Sequence, residues 1–341
     1  LEKASAWLFT EDTGLLMPDI ISCGELLIDF VPTVSGVSLL EAPAFKKAPG
    51  GAPANVAVGV SRLGISSGFL GKVGDDPFGH FLAKTLEDSG VDTQGLLFSA
   101  EARTALAFVS LRADGERDFM FYRHPSADML FRADEVNMDY IRSAKIFHYG
   151  SISLIQEPSR SATLHAVDVA SQAGLIISYD PNLRINIWPD REKAHQGLLL
   201  GWPKANLIKV SEEELQFLSG SSDILEGAQR LWHSQLRLLV ITQGKAGCTY
   251  LTRALHGFVP GFPVASIDTT GAGDGFVAGL LAGLVRRPDA WQEEAELQTL
   301  CKYANAVGAL TTTQRGAIPA LPTAEQVDSF IKSGKLETNS T

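Results

Sequence analysis

From residue 19 onward, short β-branched or apolar runs alternate with longer stretches of helical periodicity, and that alternation limits the chain to few folds. "DIISCGELLIDFV" (19–31) is predicted as a strand, and "PANVAVGVSRLG" (53–64), with Val56, Val60 and Leu63 at i, i+4 and i+7, as a helix. "SSGFLGKVG", "AKIFHYG", "LIISYD", "NLIKV" and "LRLLVIT" read as further strands, with helices over 78–89, 159–173 and 212–218 between them. Such alternation implies right-handed βαβ crossovers, so the predicted fold class is α/β, a mostly parallel sheet sandwiched by helices.

One region breaks the pattern. "RTALAFVSLR" (103–112) and "RDFMFYR" (117–123) alternate with period two around Asp114-Gly115, a strong hairpin signal. With the extended, Pro-containing stretch 31–49 they predict a small antiparallel β lid over a cleft, formed by segments 31–49 and 103–125; the competing arrangement makes them the edge of the main sheet. No repeat or linker divides the chain, and 45% hydrophobic content supplies a large core. Residues 19–330 therefore read as a single domain, with 1–18 an N-terminal arm outside the fold and 331–341 a flexible tail.

A formal net charge of −10 argues against nucleic-acid or anionic-membrane partners and favours small-molecule chemistry. Cys23, Cys248 and Cys301 are widely spaced and lack metal-binding spacing, as expected in a reducing compartment. No run reaches the roughly 18–20 apolar residues of a membrane span, and no secretion signal is evident. A cytoplasmic location is expected, with the plastid stroma as the alternative.

"DTTGAGDGF" (268–276) concentrates three glycines between two aspartates. "FPVASID" is predicted to enter it as a strand and "GFVAGLLAGLV" (275–285) to leave it as a helix. Gly271 and Gly273 would let successive backbone N–H groups converge on one point at a helix start, an anion site. Asp274 would then stand where a carboxylate can take a proton from a hydroxyl attacking phosphorus, and Asp268 where it can hold a cation or tie the loop. A helix-capping aspartate beside a tight turn accounts for the same residues.

Near the N-terminus, "GELLIDF" puts Asp29 at the C-terminal end of the first strand, the edge at which open parallel sheets bind ligands. "APGGAPAN" adds Gly50, Gly51 and Asn55, a second glycine turn before a helix. A carboxylate, two bare backbone positions and an amide suit a polyol; a turn followed by a helix cap explains them equally well. There is no Walker phosphate loop, dinucleotide fingerprint, G-x-S-x-G or H-E-x-x-H.

The pair "PGGAPANVAVGVSRLG" and "DTTGAGDGFVAG" resembles the two signatures of the PfkB-type (ribokinase-like) carbohydrate kinases. "ARTALAFVSL", "GERDFMFYRHPSADMLF", "SYDPNLR" and "RGAIPALPT" resemble the plant-type fructokinase branch, over residues 19–325. The resemblance implies an ATP-dependent sugar kinase, most simply one making fructose 6-phosphate from D-fructose, with Asp274 as base and Gly271, Ala272 and Gly273 as anion hole. Another family acceptor (ribose, a keto-deoxy sugar acid, a nucleoside) and a non-catalytic regulatory protein are its rivals.

By the same resemblance Asp29, Gly50, Gly51 and Asn55 bind sugar hydroxyls, Arg103 closes over the sugar from the lid, and Asn182 and Arg184 orient sugar and phosphate. Thr242, Gly244, Gly247, Asn305 and Gly308 match the ATP side. Asp268, Thr270 and Gly316 match a monovalent-cation site, implying K⁺ alongside ATP and Mg²⁺. The family's N-x-x-E magnesium motif is here "SEEE", with Ser211 three residues before Glu214, a spacing that is also a capping box. Gly275 stands where Ala is common. The apolar strands around Phe119 and Phe121 motivate a homodimer through the lid.

Overall fold

The computed structural model describes residues 17–333 apart from residue 35 and residues 112–116. The predicted Asp114-Gly115 turn, most of the N-terminal arm and residues 334–341 lie outside the described residues. Pro18 is already buried, beside Gly68.

The first half of the chain runs β1 (Ile20–Cys23), β2 (Leu27–Pro32), β3 (Phe45–Gly50), α1 (Ala52–Arg62), β4 (Ser67–Gly74), α2 (Pro77–Asp88), β5 (Val91–Ser99), β6 (Leu106–Leu111), β7 (Arg117–Tyr122), α3 (Met138–Arg142), β8 (Ile146–Gly150) and α4 (Ser159–Gln172). It continues through β9 (Ile176–Asp180), α5 (Arg191–Leu200), β10 (Leu207–Ser211), α6 (Glu212–Ser219), α7 (Ile224–Leu231), β11 (Leu238–Thr242), β12 (Gly247–Leu251) and β13 (His256–Pro260). The last elements are α8 (Ala272–Arg286), α9 (Glu294–Thr311), α10 (Ala317–Ala320) and α11 (Ala324–Ser333).

Nine strands form the main sheet in the order β13-β12-β11-β10-β9-β8-β1-β4-β5, parallel except for the β12–β13 hairpin at one edge. Successive residues along each central strand serve opposite layers, as the pleat demands. Ile21, Phe147, Ile177, Ile208 and Leu239 pack under α4 and α5, whereas Ile20, Ile146, Leu207, Leu238 and Val240 pack under α8 and α9. Burial on both faces is why these strands read as continuous apolar runs.

A second, four-stranded sheet has the order β3-β2-β6-β7. The two strands flanking the undescribed turn pair antiparallel, Leu106 opposite Tyr122 and Leu111 opposite Arg117, while the central pair β2–β6 is parallel. Asp76 ties this sheet to the body: it caps α2 through the N–H groups of Phe78 and Gly79 and accepts from the backbone N–H of Thr104 at 2.8 Å.

Three sequence expectations need correction. "DIISCGELLIDFV" is two strands in two sheets: Gly24 (φ +153°) leaves the main sheet against Pro53, and Glu25 turns inward to accept from the Ala52 N–H at 3.0 Å. Asp29 thus belongs to the small sheet, opposite Ala48 and Ala107, and not to the end of a main-sheet strand. "FPVASID" is not a strand; Pro263 lacks a donor, Ile267 is 60% exposed, and the N–H groups of Ile267 and Asp268 both reach the carbonyl of Thr312 after α9. Phe121 is not an exposed patch residue, because it packs against Leu27, Ala105 and Ala107; the side chain of Phe119 lies outside the described residues, and Met120 and Tyr122 are exposed among the described side chains of β7.

Candidate active site

Gly271 caps α8 in the left-handed region (φ +78°), where a side chain would also meet Ala317 at 2.7 Å. The helix's first carbonyl bond is Gly275 N–H to Gly271 O at 2.8 Å. Gly273 and Asp274 keep their N–H groups without a partner among the described residues, at the positive end of a 15-residue helix. The Ala272 N–H instead turns back to Thr269 O at 3.3 Å, so the free backbone donors at this helix start are those of positions 273 and 274 and not that of 272.

Asp274 is buried, and its Oδ2 accepts from Asn55 Nδ2 at 2.7 Å. Burial raises its pKa to about 6 with help from Asp180, against the pull of the Asn55 hydrogen bond, Arg184 and Lys209. Asp29 is pushed by burial to about 7, lowered by Arg184 and raised by the charge of Asp274. The two carboxylates therefore feel each other and the same guanidinium, Asp29 from the small sheet and Asp274 from the start of α8. Asn55 Oδ1 is buried without a partner among the described residues, an acceptor suited to a hydroxyl.

The Gly50-Gly51 turn first makes room for the protein's own oxygens, one carboxylate and one main-chain carbonyl. A methyl at 50 would lie 2.1 Å from Asp29 Oδ2, and Gly51 (φ +110°) passes the Glu25 carbonyl where a methyl would stand 2.3 Å away. Asn182 is the one described non-glycine residue with positive φ (+43°), held by its N–H to Asp180 Oδ1 at 3.1 Å. Arg184 follows two residues on, its side chain reaching the Leu183 carbonyl. Arg103 is exposed ahead of β6, and its carbonyl accepts from Ala127 N–H.

On the other side of the loop, Thr242 ends β11 beside Ser211, followed by a tight turn with Gly244 (φ +55°) and Gly247 (φ +125°). Asn305 spends its amide donors on the carbonyls of Val259 and Pro260, and Gly308 lets α9 approach the Ala272 carbonyl. This pair supports the floor of the loop. Asp268 joins the residues expected to hold a cation: Oδ1 accepts from Thr270 N–H and Oγ1, and Oδ2 from Gly316 N–H at 2.9 Å, contacts that tie the loop.

The capping box is complete, with Glu214 N–H on Ser211 Oγ at 3.1 Å and Ser211 N–H on Glu214 Oε2 at 2.8 Å, while Glu214 Oε1 accepts from Leu183 N–H. Among the described residues no three His, Cys, Asp or Glu side chains are arranged to hold a metal ion, so a Mg²⁺ here would keep water and phosphate oxygens among its ligands, its usual mode beside a nucleotide.

Two participants escaped sequence reasoning. Lys209 is buried mid-strand in "NLIKV", paired with Asp180 at 3.1 Å; a charge inside an apolar run was the available signal. Glu25 in "CGELLI" is the same kind of signal: buried, its pKa raised to about 7 by desolvation, with Oε2 unpartnered. A cavity of about 180 Å³ bounded by Phe121, Arg123, Met129, Ile152 and Asn186 includes none of the predicted site residues.

A helix-sandwiched parallel sheet, a separate small sheet over its strand ends and a glycine-capped helix bearing a buried carboxylate together define the ribokinase-like class of kinases. The chain belongs to the pfkB family of carbohydrate kinases, whose model matches residues 17–324. It is 59% identical over 314 residues to probable fructokinase-4 of Arabidopsis thaliana, covering 92% of this chain and 96% of that protein. Fructokinase from Xylella fastidiosa, solved with bound ATP, superposes with a TM-score of 0.85 at 37% identity, covering 92% of this chain and 98% of its own. A double mutant of Vibrio cholerae fructokinase, in fructose, ADP and potassium ion bound form, gives 0.83 at 38% identity, covering 92% and 98%.

Proposed function

We propose that this protein is an ATP-dependent fructokinase, converting D-fructose and ATP to fructose 6-phosphate and ADP. The observation that carries the reading is the buried Asp274 at the start of α8, joined to Asn55 across 219 residues and coupled to Asp29. The sugar lies against Asp29 and Asn55, with Asn182 and Arg184 at its flank and Arg103 on the lid side.

Asp274, ionised above about pH 6, accepts the proton of the attacking hydroxyl. As the terminal P–O bond of ATP breaks and the sugar P–O bond forms, the unpartnered N–H groups of α8 hold the oxygens that gain charge. Mg²⁺, when bound with ATP, neutralises charge on the β- and γ-phosphates. Glu214 would hold one of its waters. Thr242, Gly244 and Gly247 flank the nucleotide, and Asn305 and Gly308 support it from beneath. K⁺ beside Asp268, Thr270 and Gly316 belongs to the same proposal, supported by the potassium named with the Vibrio protein.

Residues 19–330 act as one kinase domain in this reading. The lid-mediated homodimer is kept, now on Met120 (43% exposed) and Tyr122 (57%), and a reducing compartment, cytoplasm or plastid stroma, is supported by three free, buried cysteines. No described helix is long and apolar enough to cross a membrane.

ADP release coupled to a reporter, across fructose, ribose, a keto-deoxy sugar acid and a nucleoside, tests the reading. Fructose should be turned over best; preference for any other acceptor overturns the substrate, and binding of fructose without turnover overturns the enzyme.

A further inference from the structure

Lys209 belongs to none of the roles above, yet it sits at their centre. Its side chain is 8% exposed on β10, and Nζ donates to the Asp180 carboxylate, 3.1 Å from Oδ2 and 3.4 Å from Oδ1, two oxygens close enough together to share one N–H. The remaining N–H groups have no acceptor among the described residues. The ammonium also touches the anion loop from within, because a methyl on Gly273 would lie 3.1 Å from Lys209 Nζ and meets nothing else as near. A side chain at position 273 would crowd the place where the cation faces the loop.

A lysine whose only need was to neutralise Asp180 would not have to lie there. Replacing such a buried pair by apolar residues is often neutral or stabilising, so the pair is not explained by stability. Burial works to lower the lysine's pKa, but Asp180, Glu214 and Asp274 outweigh it and keep the group a cation.

We infer that Lys209 is a catalytic residue of the phosphoryl transfer, its ammonium, aimed by Asp180, donating a free N–H to the terminal phosphoryl group as that group passes the Gly273 loop. This rests on the kinase reading. In the step, the P–O bond to ADP breaks, the bond to the acceptor oxygen forms, and the acceptor's proton goes to Asp274. Lys209 remains protonated throughout and supplies charge to equatorial oxygens that the two backbone amides reach only in part.

Lys209→Met keeps length and removes charge. It should lower kcat about 10²-fold, the scale of a lost oxyanion donor, with the KM for sugar within twofold. By calorimetry without sugar, it should weaken ATP more than tenfold and ADP less than twofold, since only ATP carries the group contacted. The Lys209→Met/Asp180→Asn double variant removes the charge that the single variant would leave on Asp180 and serves if the single variant does not fold. It should stay as slow as the single variant; recovery of the parental rate would make the lysine structural and overturn the proposal. A folded Lys209→Met within threefold of the parental kcat, or equal losses of ATP and ADP affinity, would overturn it as well. A parent inactive on every sugar would instead sink the kinase reading, and the sugar-free ATP-against-ADP comparison would still decide Lys209.

Discussion

Asn55 and Asp274 meet at 2.7 Å because one turn further along both helices Gly59 faces Ala278. Residues four apart share a helix face, so the polar contact and the glycine contact lie on one stripe of α1 against one stripe of α8. A methyl at 59 would stand 2.6 Å from Ala278 Cβ, and the glycine's absent side chain sets the distance across which the amide reaches the base.

Gly59→Val should therefore act on both stability and rate. Overpacking of this kind costs about 1–3 kcal/mol, and the separated helices would stretch the Asn55–Asp274 bond. Denaturant unfolding should give a lower midpoint, and kcat should fall at least tenfold in protein that remains folded. A variant with a lowered midpoint and unchanged kcat would uncouple helix spacing from the base.

Asp274→Asn should lose about 10²–10⁴ in kcat while retaining ATP binding. The parental kcat/KM should fall as pH drops through about 6, as the base protonates. Stability moves the other way. The folded pKa lies above the ordinary aspartate value of about 3.9, so the ionised carboxylate costs stability above about pH 6, and that cost disappears as pH falls towards 4. Thermal melts should show the Asn variant more stable than the parent at pH 8 and no different near pH 4.

Gly50→Ala tests the sugar side alone. Its methyl would fall 2.1 Å from Asp29 Oδ2 and must push the carboxylate aside. The KM for sugar should rise at least tenfold with ATP affinity intact; equal changes in both would place Asp29 elsewhere in the mechanism.

Ser211 and Glu214 can be separated by their hydrogen bonds. Ser211→Ala removes only the cap, at a cost of about 0.5–2 kcal/mol, and should leave the Mg²⁺ requirement unchanged. Glu214→Gln, whose carboxylate accepts from Ser211 and Leu183, should raise the Mg²⁺ concentration needed for half-maximal rate severalfold. Identical Mg²⁺ titrations for the two variants would leave Glu214 a cap alone.

What the chain determines by itself is local. Apolar runs that supply both faces of a parallel strand, a Pro-led α1, and the Gly271 turn into α8 each follow from residues within a few positions of one another, so sequence periodicity located them. The Gly-rich loop and Asp274 were legible for that reason, as was Asp29 as a polar residue in an apolar run. Which sheet Asp29 joins was not: a continuous run from 19 to 31 conceals the turn at Gly24, which depends on Pro53 and on Glu25 finding the Ala52 N–H. That Asn305, matched to the ATP side by resemblance, gives its amide donors to two carbonyls at the end of β13 was likewise not legible. Lys209 is marked in the sequence only as a misplaced charge; its meaning comes from Asp180 and Gly273, brought to it by two other segments of chain. Short-range turn and periodicity rules are satisfied within a few residues, whereas the charge environment of a buried group is set by whatever the packed core places around it.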